Sequence, residues 1–192
     1  MENENFNAAD SIKTIDQALA QAKAERTGAQ FYYIVWGTLL FLHFIIRYFL
    51  LRYPQSSSDL LDVATWAVFP VGGIISYFRS KRDDKIEKVV PLYEKIYAYA
   101  FGGFALAYGV TYFASVARPD LQGSFFSVLL GFTVFVTGGL TKHTPSLVGG
   151  TLAILLGGIS LNVTPEIQCL LAAIASLSAC LAPGMLMSNR NV

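Results

Sequence analysis

The chain has 192 residues, 54% of them hydrophobic and only 14% charged, with a formal net charge of +1 and a mean hydropathy of +0.48. Soluble domains carry roughly a quarter charged residues, so this composition excludes an ordinary water-soluble globule. The near-balanced charge offers no basic face for nucleic acid.

The charges that exist are clustered. The stretch Arg79–Lys95 alone holds six of the 14 Lys and Arg. Charge-free windows run over 27–46, 63–78, 96–117, 121–141, 144–165 and 167–189. A helix needs about 20 apolar residues to cross a ~30 Å hydrocarbon core. The windows therefore predict an all-α polytopic membrane protein with six transmembrane helices, preceded by an amphipathic cytoplasmic helix. Two units follow: residues 1–29, cytoplasmic or interfacial, and residues 30–188, a six-span bundle.

The N-terminal unit is polar and acidic at its start, without the basic and apolar regions of a cleavable signal peptide. Asp10 or Ser11 suits a helix N-cap. Ile12, Ile15, Leu19 and Ala22 then recur at helical spacing as one narrow stripe. Such a helix either lies on the membrane surface or pairs with a cytosolic partner.

The first span is expected at about 30–51, bracketed by Phe31, Tyr32, Tyr33 and Trp36 and by Tyr48, Phe49 and Tyr53. Aromatic rings concentrate at both water–lipid boundaries. Within it His43 and Arg47 lie four apart, on one helix face. The second span, about 59–78, carries Pro70 followed by Gly72-Gly73, which predicts a kink. The basic loop comes next, with Asp83, Asp84 and Glu87 placed to form ion pairs. The third span, about 96–117, contains Tyr97, Tyr99, Tyr108 and Tyr112; the fourth covers about 124–140. The turn Lys142-His143-Thr144-Pro145 leads to a glycine-rich fifth span, about 146–163. A sixth, about 167–187, ends in Ala182-Pro183-Gly184.

Cytoplasmic loops collect Lys and Arg. With the Arg79–Lys95 loop inside, both termini and the Lys142 turn are also inside. That face then holds 11 of the 14 basic residues, leaving Arg47, Arg52 and Arg118 outside.

Lipid gives helices no hydrophobic push together, so small residues that let backbones approach supply the contact. Gly149, Ala153 and Gly157 share one face of the fifth span, and Ala172, Ser176, Cys180 and Gly184 one face of the sixth. They form either a seam between neighbouring helices or a homodimer face. Cys169 and Cys180 are separated by about 16 Å of helix, too far to bond to each other. An echo at an offset of 66 relates Phe31 to Tyr97, Gly37 to Gly103 and Gly72-Gly73 to Gly138-Gly139. Spans one–two and three–four are thus candidates for a duplicated hairpin.

No nucleophile elbow, zinc-protease motif, phosphate loop or Cys-x-x-Cys pair occurs. The sequence thus predicts no enzyme, no metal and no cofactor. The polar groups that stand out within the spans are His43 and Arg47, with Asp59 and Asp62 facing them. Intramembrane ionisable groups cost several kcal/mol and point to a partner. Either Arg47 snorkels to the headgroups, or it pairs with Asp62 in a polar vestibule with His43 beneath.

The segments FYYIVWGTL (31–39), FVTGGLTKHTPSLVGG (135–150) and LAPG (181–184) give the chain a resemblance to a family of uncharacterised small multi-span bacterial membrane proteins. The resemblance spans residues 31–187. It implies a bacterial inner membrane and carries over no functional residue. Two functions are expected of such a chain. The first is a non-catalytic scaffold, sensor or regulator, with the bilayer and a cytosolic protein or a second copy as partners. The other is a small transporter or channel using His43, Arg47 and Asp62.

Overall fold

The structure, a computed structural model, describes residues 8–53, 61, 64–83, 92–114 and 121–188. Over these residues the chain is all-helical. Helix α1 runs Ala8–Arg52, α2 Val68–Asp83, α3 Leu92–Ala114, α4 Gln122–Leu140 and α5 Thr144–Ser160. Then α6 (Pro165–Ser176), a π-helical turn (Leu177–Leu181) and α7 (Ala182–Ser188) form one continuous rod.

Two features differ from the sequence expectation. First, no break separates residues 8–29 from the first span: α1 is a single helix of 45 residues. One glycine in a helix interior costs about 1 kcal/mol. Gly28 is too weak a breaker beside the strong helix formers Ala20–Arg26. Second, the irregularity expected at Pro70 falls just before it: Leu61, Ala64 and Thr65 are helical, Trp66 and Ala67 form a turn, and Pro70 sits in the first turn of α2. There its missing N–H is one that a helix leaves unpaired anyway. Val71 N–H donates to Ala67 O at 3.0 Å and Phe69 N–H to Trp66 O at 3.2 Å. Helix α2 thus starts at Val68, after a turn that separates it from the helical residues Leu61, Ala64 and Thr65 of the expected second span.

Cross-helix contacts set the direction of each rod. Phe69 packs on His43, with ring centroids 5.7 Å apart. Further along, Trp36 Nε1–H donates to Ser76 Oγ at 3.1 Å, and the Arg79 guanidinium lies 5.1 Å from the Phe31 ring. Hence α2 is antiparallel to α1. Tyr97 meets Tyr33 and Tyr112 meets Trp66, so α3 runs with α1. Phe126 meets Phe44 at 4.6 Å while the Tyr33 and Thr137 hydroxyls are 3.4 Å apart, so α4 returns. Helix α5 runs back along α4, and the α6–α7 rod along both α5 and α1. Six rods of the described residues therefore alternate in direction.

The tightest seam joins α4 and α5. A Cβ at Gly150 would sit 2.6 Å from Phe135 N, and one at Gly157 2.8 Å from Val128 N. The opposite side of α5 faces the π turn, where the Ser178 carbonyl occupies the space a Gly149 side chain would need. Pro183 explains the turn's widened winding. It has no N–H, and its ring crowds the carbonyl four residues back. A π turn is a common way for a helix to absorb such a defect. Lys142 takes a left-handed conformation (φ 53°) and closes α4. His143 N–H reaches Gly138 O at 2.8 Å and Lys142 N–H reaches Gly139 O at 3.3 Å, the paired bonds of a Schellman cap.

Of the six expected spans, three are long and apolar enough on their own among the described residues: Ala29–Arg52, Gln122–Leu140 and Pro165–Met187. The others fall short for separate reasons. Helix α5 is apolar but has 17 residues, about 25 Å. Helix α2 has 16, closing on Arg79, Lys81 and Arg82. Helix α3 is long enough, but its tyrosines and glycines dilute its hydropathy. Its outward face still presents Tyr99, Leu106, Val110 and Phe113, all at least 70% exposed. Apolar surface of that extent is rarely left to water.

The 66-residue echo does not extend to packing. Gly37 lies against the backbone of Leu181, whereas Gly103 faces open space.

Candidate functional site

His43 is 3% exposed. Its Nδ1 lies 2.8 Å from the carbonyl oxygen of Thr65, just before α2. A carbonyl can only accept, so Nδ1 carries hydrogen. The ring is boxed by Phe44, Trp66 and Phe69, with centroids 5.0, 5.4 and 5.7 Å away. One turn on, the Arg47 guanidinium stands 5.8 Å from the Trp66 ring centroid, within cation–π range. The expected third member, Asp62, lies outside the described residues, as does Asp59.

His43 and Arg47 open onto a pocket of about 40 Å³, completed by Trp66, Tyr108, Gln122 and Gln168. Sequence reasoning assigned a site role to none of these last four. Tyr108 reads as one more aromatic in a tyrosine-rich helix. Gln122 and Gln168 stand at window edges, where a polar residue is unremarked. In the fold those edges are the first turns of α4 and α6. The α1–α3 and α4–α6 alternation brings both to the Arg47 end of the bundle. Gln168 is only 4% exposed, and its Nε2–H donates to Val163 O at 3.3 Å.

The pocket floor is aromatic. Phe126, with no exposed surface, touches Phe44 at 4.6 Å, Tyr108 at 5.2 Å and Phe104 at 5.7 Å. Below it the helices close on one another through small residues. Ala153, Ala172 and Ser176 have no exposed surface, and Gly149 and Gly157 are buried with them. All five lie inside the chain. Gly157 faces α4, and Gly149 the π turn.

A second polar cluster occupies the opposite end. Tyr33 reaches Thr137 and Ser146, and the Ser146 hydroxyl lies 2.7 Å from His143 Nδ1. The two histidines therefore sit at opposite ends of the bundle. Serine and threonine hydroxyls elsewhere largely bond their own helix, as Thr133 does to Leu129 O at 2.8 Å and Thr137 to Thr133 O at 3.0 Å. Among the described residues no three His, Cys, Asp or Glu side chains converge. Cys169 and Cys180 are both buried, and neither is in a disulfide.

The arrangement is thus a small pocket with polar and aromatic lining at one end of a tightly packed helical bundle. No protein-family model matches the chain, and no curated protein or solved structure is similar to it.

Proposed function

We propose that this chain is a six-pass helical protein of a bacterial inner membrane, with both termini cytoplasmic. In this reading it acts without catalysis, as a scaffold, sensor or regulator, through a cytoplasmic arm. The continuity of α1 carries the proposal. At 1.5 Å per residue its 45 residues measure about 67 Å, more than twice a hydrocarbon core. The apolar part is Ala29–Arg52. The 21 residues Ala8–Gly28 that precede it make a rod of about 32 Å. A straight continuation of a crossing helix stands off the membrane rather than lying on it, which favours contact with a cytosolic protein.

The alternating rods support six crossings. Short α2 and α5 cross inside the bundle if Arg79, Lys81 and Arg82 snorkel and the bilayer thins locally, at fractions of a kcal/mol per Å. The distribution of Lys and Arg supports the orientation. Reporter fusions check it: markers active only in the cytoplasm, fused before residue 1 and after residue 192, should both be active. Markers active on opposite faces would exclude an even number of crossings.

The arm is tested by co-purification from membranes after in-cell crosslinking, with full-length protein and a variant lacking residues 8–28. Partners should be lost with the arm while the remainder stays folded in the membrane. An unchanged partner set would refute the arm's role.

A small transporter or channel using His43, Arg47 and Asp62 is the second reading. The aromatic floor at Phe44, Tyr108 and Phe126 and the glycine seams beneath it favour binding over passage. A homodimer would have to use another face, since Gly149, Ala153 and Gly157 are buried within the chain. No nucleic acid or cofactor belongs to the proposal.

A further inference from the structure

We infer that the cytoplasmic arm holds, along positions 15, 19 and 22, one amphipathic helix of a cytosolic protein, apolar on one side and acidic where it meets the bundle. This rests on the reading of Ala8–Gly28 as a cytoplasmic arm, and adds which face of the arm binds and what it takes.

Helical register carries the argument. Eighteen residues make five whole turns of an α-helix at about 3.6 residues each. Positions 15, 19 and 22 precede 33, 37 and 40 by that interval, so both sets lie on one line of the unbroken α1. Within the span that line is filled by the chain itself. Tyr33 and Leu40 are buried, and Gly37 lies against the Leu181 backbone. Gly184 sits against Tyr33 and Ile34, so the α6–α7 rod follows α1 toward the arm and ends one turn later, at Ser188. Helix α1 runs on past that end from Gly28 back to Ala8. The sequence keeps the line apolar there, with Ile15, Leu19 and Ala22 in step with Ile12. An apolar stripe at this spacing is the mark of a helix packed along one side.

The same register selects the occupant. A second copy does not fit. Two α1 helices paired in parallel along positions 15, 19 and 22 would also have to meet through Tyr33, Gly37 and Leu40, where the α6–α7 rod and α4 already stand. The bilayer surface does not fit either, because the arm continues a crossing helix away from it. A helix from another protein fits, stacked over the end of the α6–α7 rod and packed on the arm as that rod packs on the span. Its anchors would recur at three- and four-residue spacing. Its foot meets a basic floor. Residues 79–95 together with Lys142 hold seven Lys and Arg against four Asp and Glu, and Lys81, Arg82 and Lys142 are exposed. Complementary charge steers a partner and fixes its register, so the occupant carries Asp or Glu in the turn nearest the membrane.

Photo-crosslinking in living cells tests this on the full chain. p-Benzoylphenylalanine is placed at position 19 or 22, on the line, and at 17 or 24, on the opposite side of the helix. The expected result is adducts from 19 and 22 and none from 17 and 24. The crosslinked peptide should come from a protein without membrane spans, with apolar residues at three- and four-residue spacing and an excess of Asp and Glu. That peptide, synthesised with a fluorophore, is then titrated with the purified protein in detergent. Leu19→Asp should abolish its binding. Lys81→Glu, Arg82→Glu and Lys142→Glu combined should weaken it by about tenfold, the scale of three exposed ion pairs. Adducts from 17 and 24 alone, or equally from both faces, would overturn the inference and leave the arm as a contact surface. No adduct with another protein at any of the four positions would overturn both readings. Adducts from 19 or 22 to a second copy, to residues 84–91 of the same chain or to lipid would also overturn the inference, as would a captured peptide without excess acid.

Discussion

Replacing Gly149 by alanine is expected to cost more than about 3 kcal/mol, and replacing it by leucine to abolish the fold. Adding methylenes to a packed core typically costs about 1–3 kcal/mol, because neighbouring side chains can shift. At Gly149 the neighbour is the Ser178 carbonyl, which belongs to a helix backbone and has little room to move. Its position is fixed in turn by the π turn that Pro183 imposes. Thermal unfolding in detergent, read beside Gly158→Ala, makes the comparison clean. Gly158 adjoins the same seam, yet a Cβ there meets nothing within 4 Å, so its transition should not move. If both variants unfold together with the wild type, the packing of α5 on the π turn is wrong.

The second large effect is expected at Phe126. Truncating a buried phenylalanine typically costs about 3–5 kcal/mol. In lipid the transfer part shrinks, because the tails are as apolar as the side chain. What remains is lost dispersion contact and the cavity left behind. About 3 kcal/mol is therefore expected for Phe126→Ala, against nearly zero for Phe113→Ala, whose ring is 78% exposed. The same substitution removes the pocket floor beneath Tyr108 and Phe44. Water entering there should shift Trp66 emission to longer wavelength. An unshifted spectrum together with wild-type stability would mean that the ring does not close the pocket.

Much of the helical framework could be read from charge. Each described rod from α3 onwards begins and ends within about four residues of its expected span, because windows free of Lys, Arg, Asp and Glu mark it directly. What could not be read depended on contacts distant in sequence. Pro70 predicts a kink within a helix, whereas the chain makes a full turn at Trp66-Ala67 and resumes helix at Val68. The π turn has a local cause in Pro183, but the space for its displaced carbonyl comes from Gly149, nearly 30 residues earlier. The 29/30 boundary followed from a change in polarity, which a helix backbone does not feel. At the site, His43 and Arg47 were legible because ionisable groups are rare inside apolar windows. Gln122, Gln168 and Tyr108 were not, because only the up-and-down packing of α1, α3, α4 and α6 places them around one pocket.

The unbroken course of α1 has a mechanical consequence. Its apolar part carries His43 and Arg47 at one end, and the same unbroken helix continues to Ala8. A 10° change of tilt near Tyr33 would carry the tip, about 38 Å away, sideways by roughly 7 Å. A displacement of that size exceeds the rise of a helical turn. Small adjustments among packed aromatic rings would thus be magnified, without any rearrangement of the fold, into a new position for the far end of the lever.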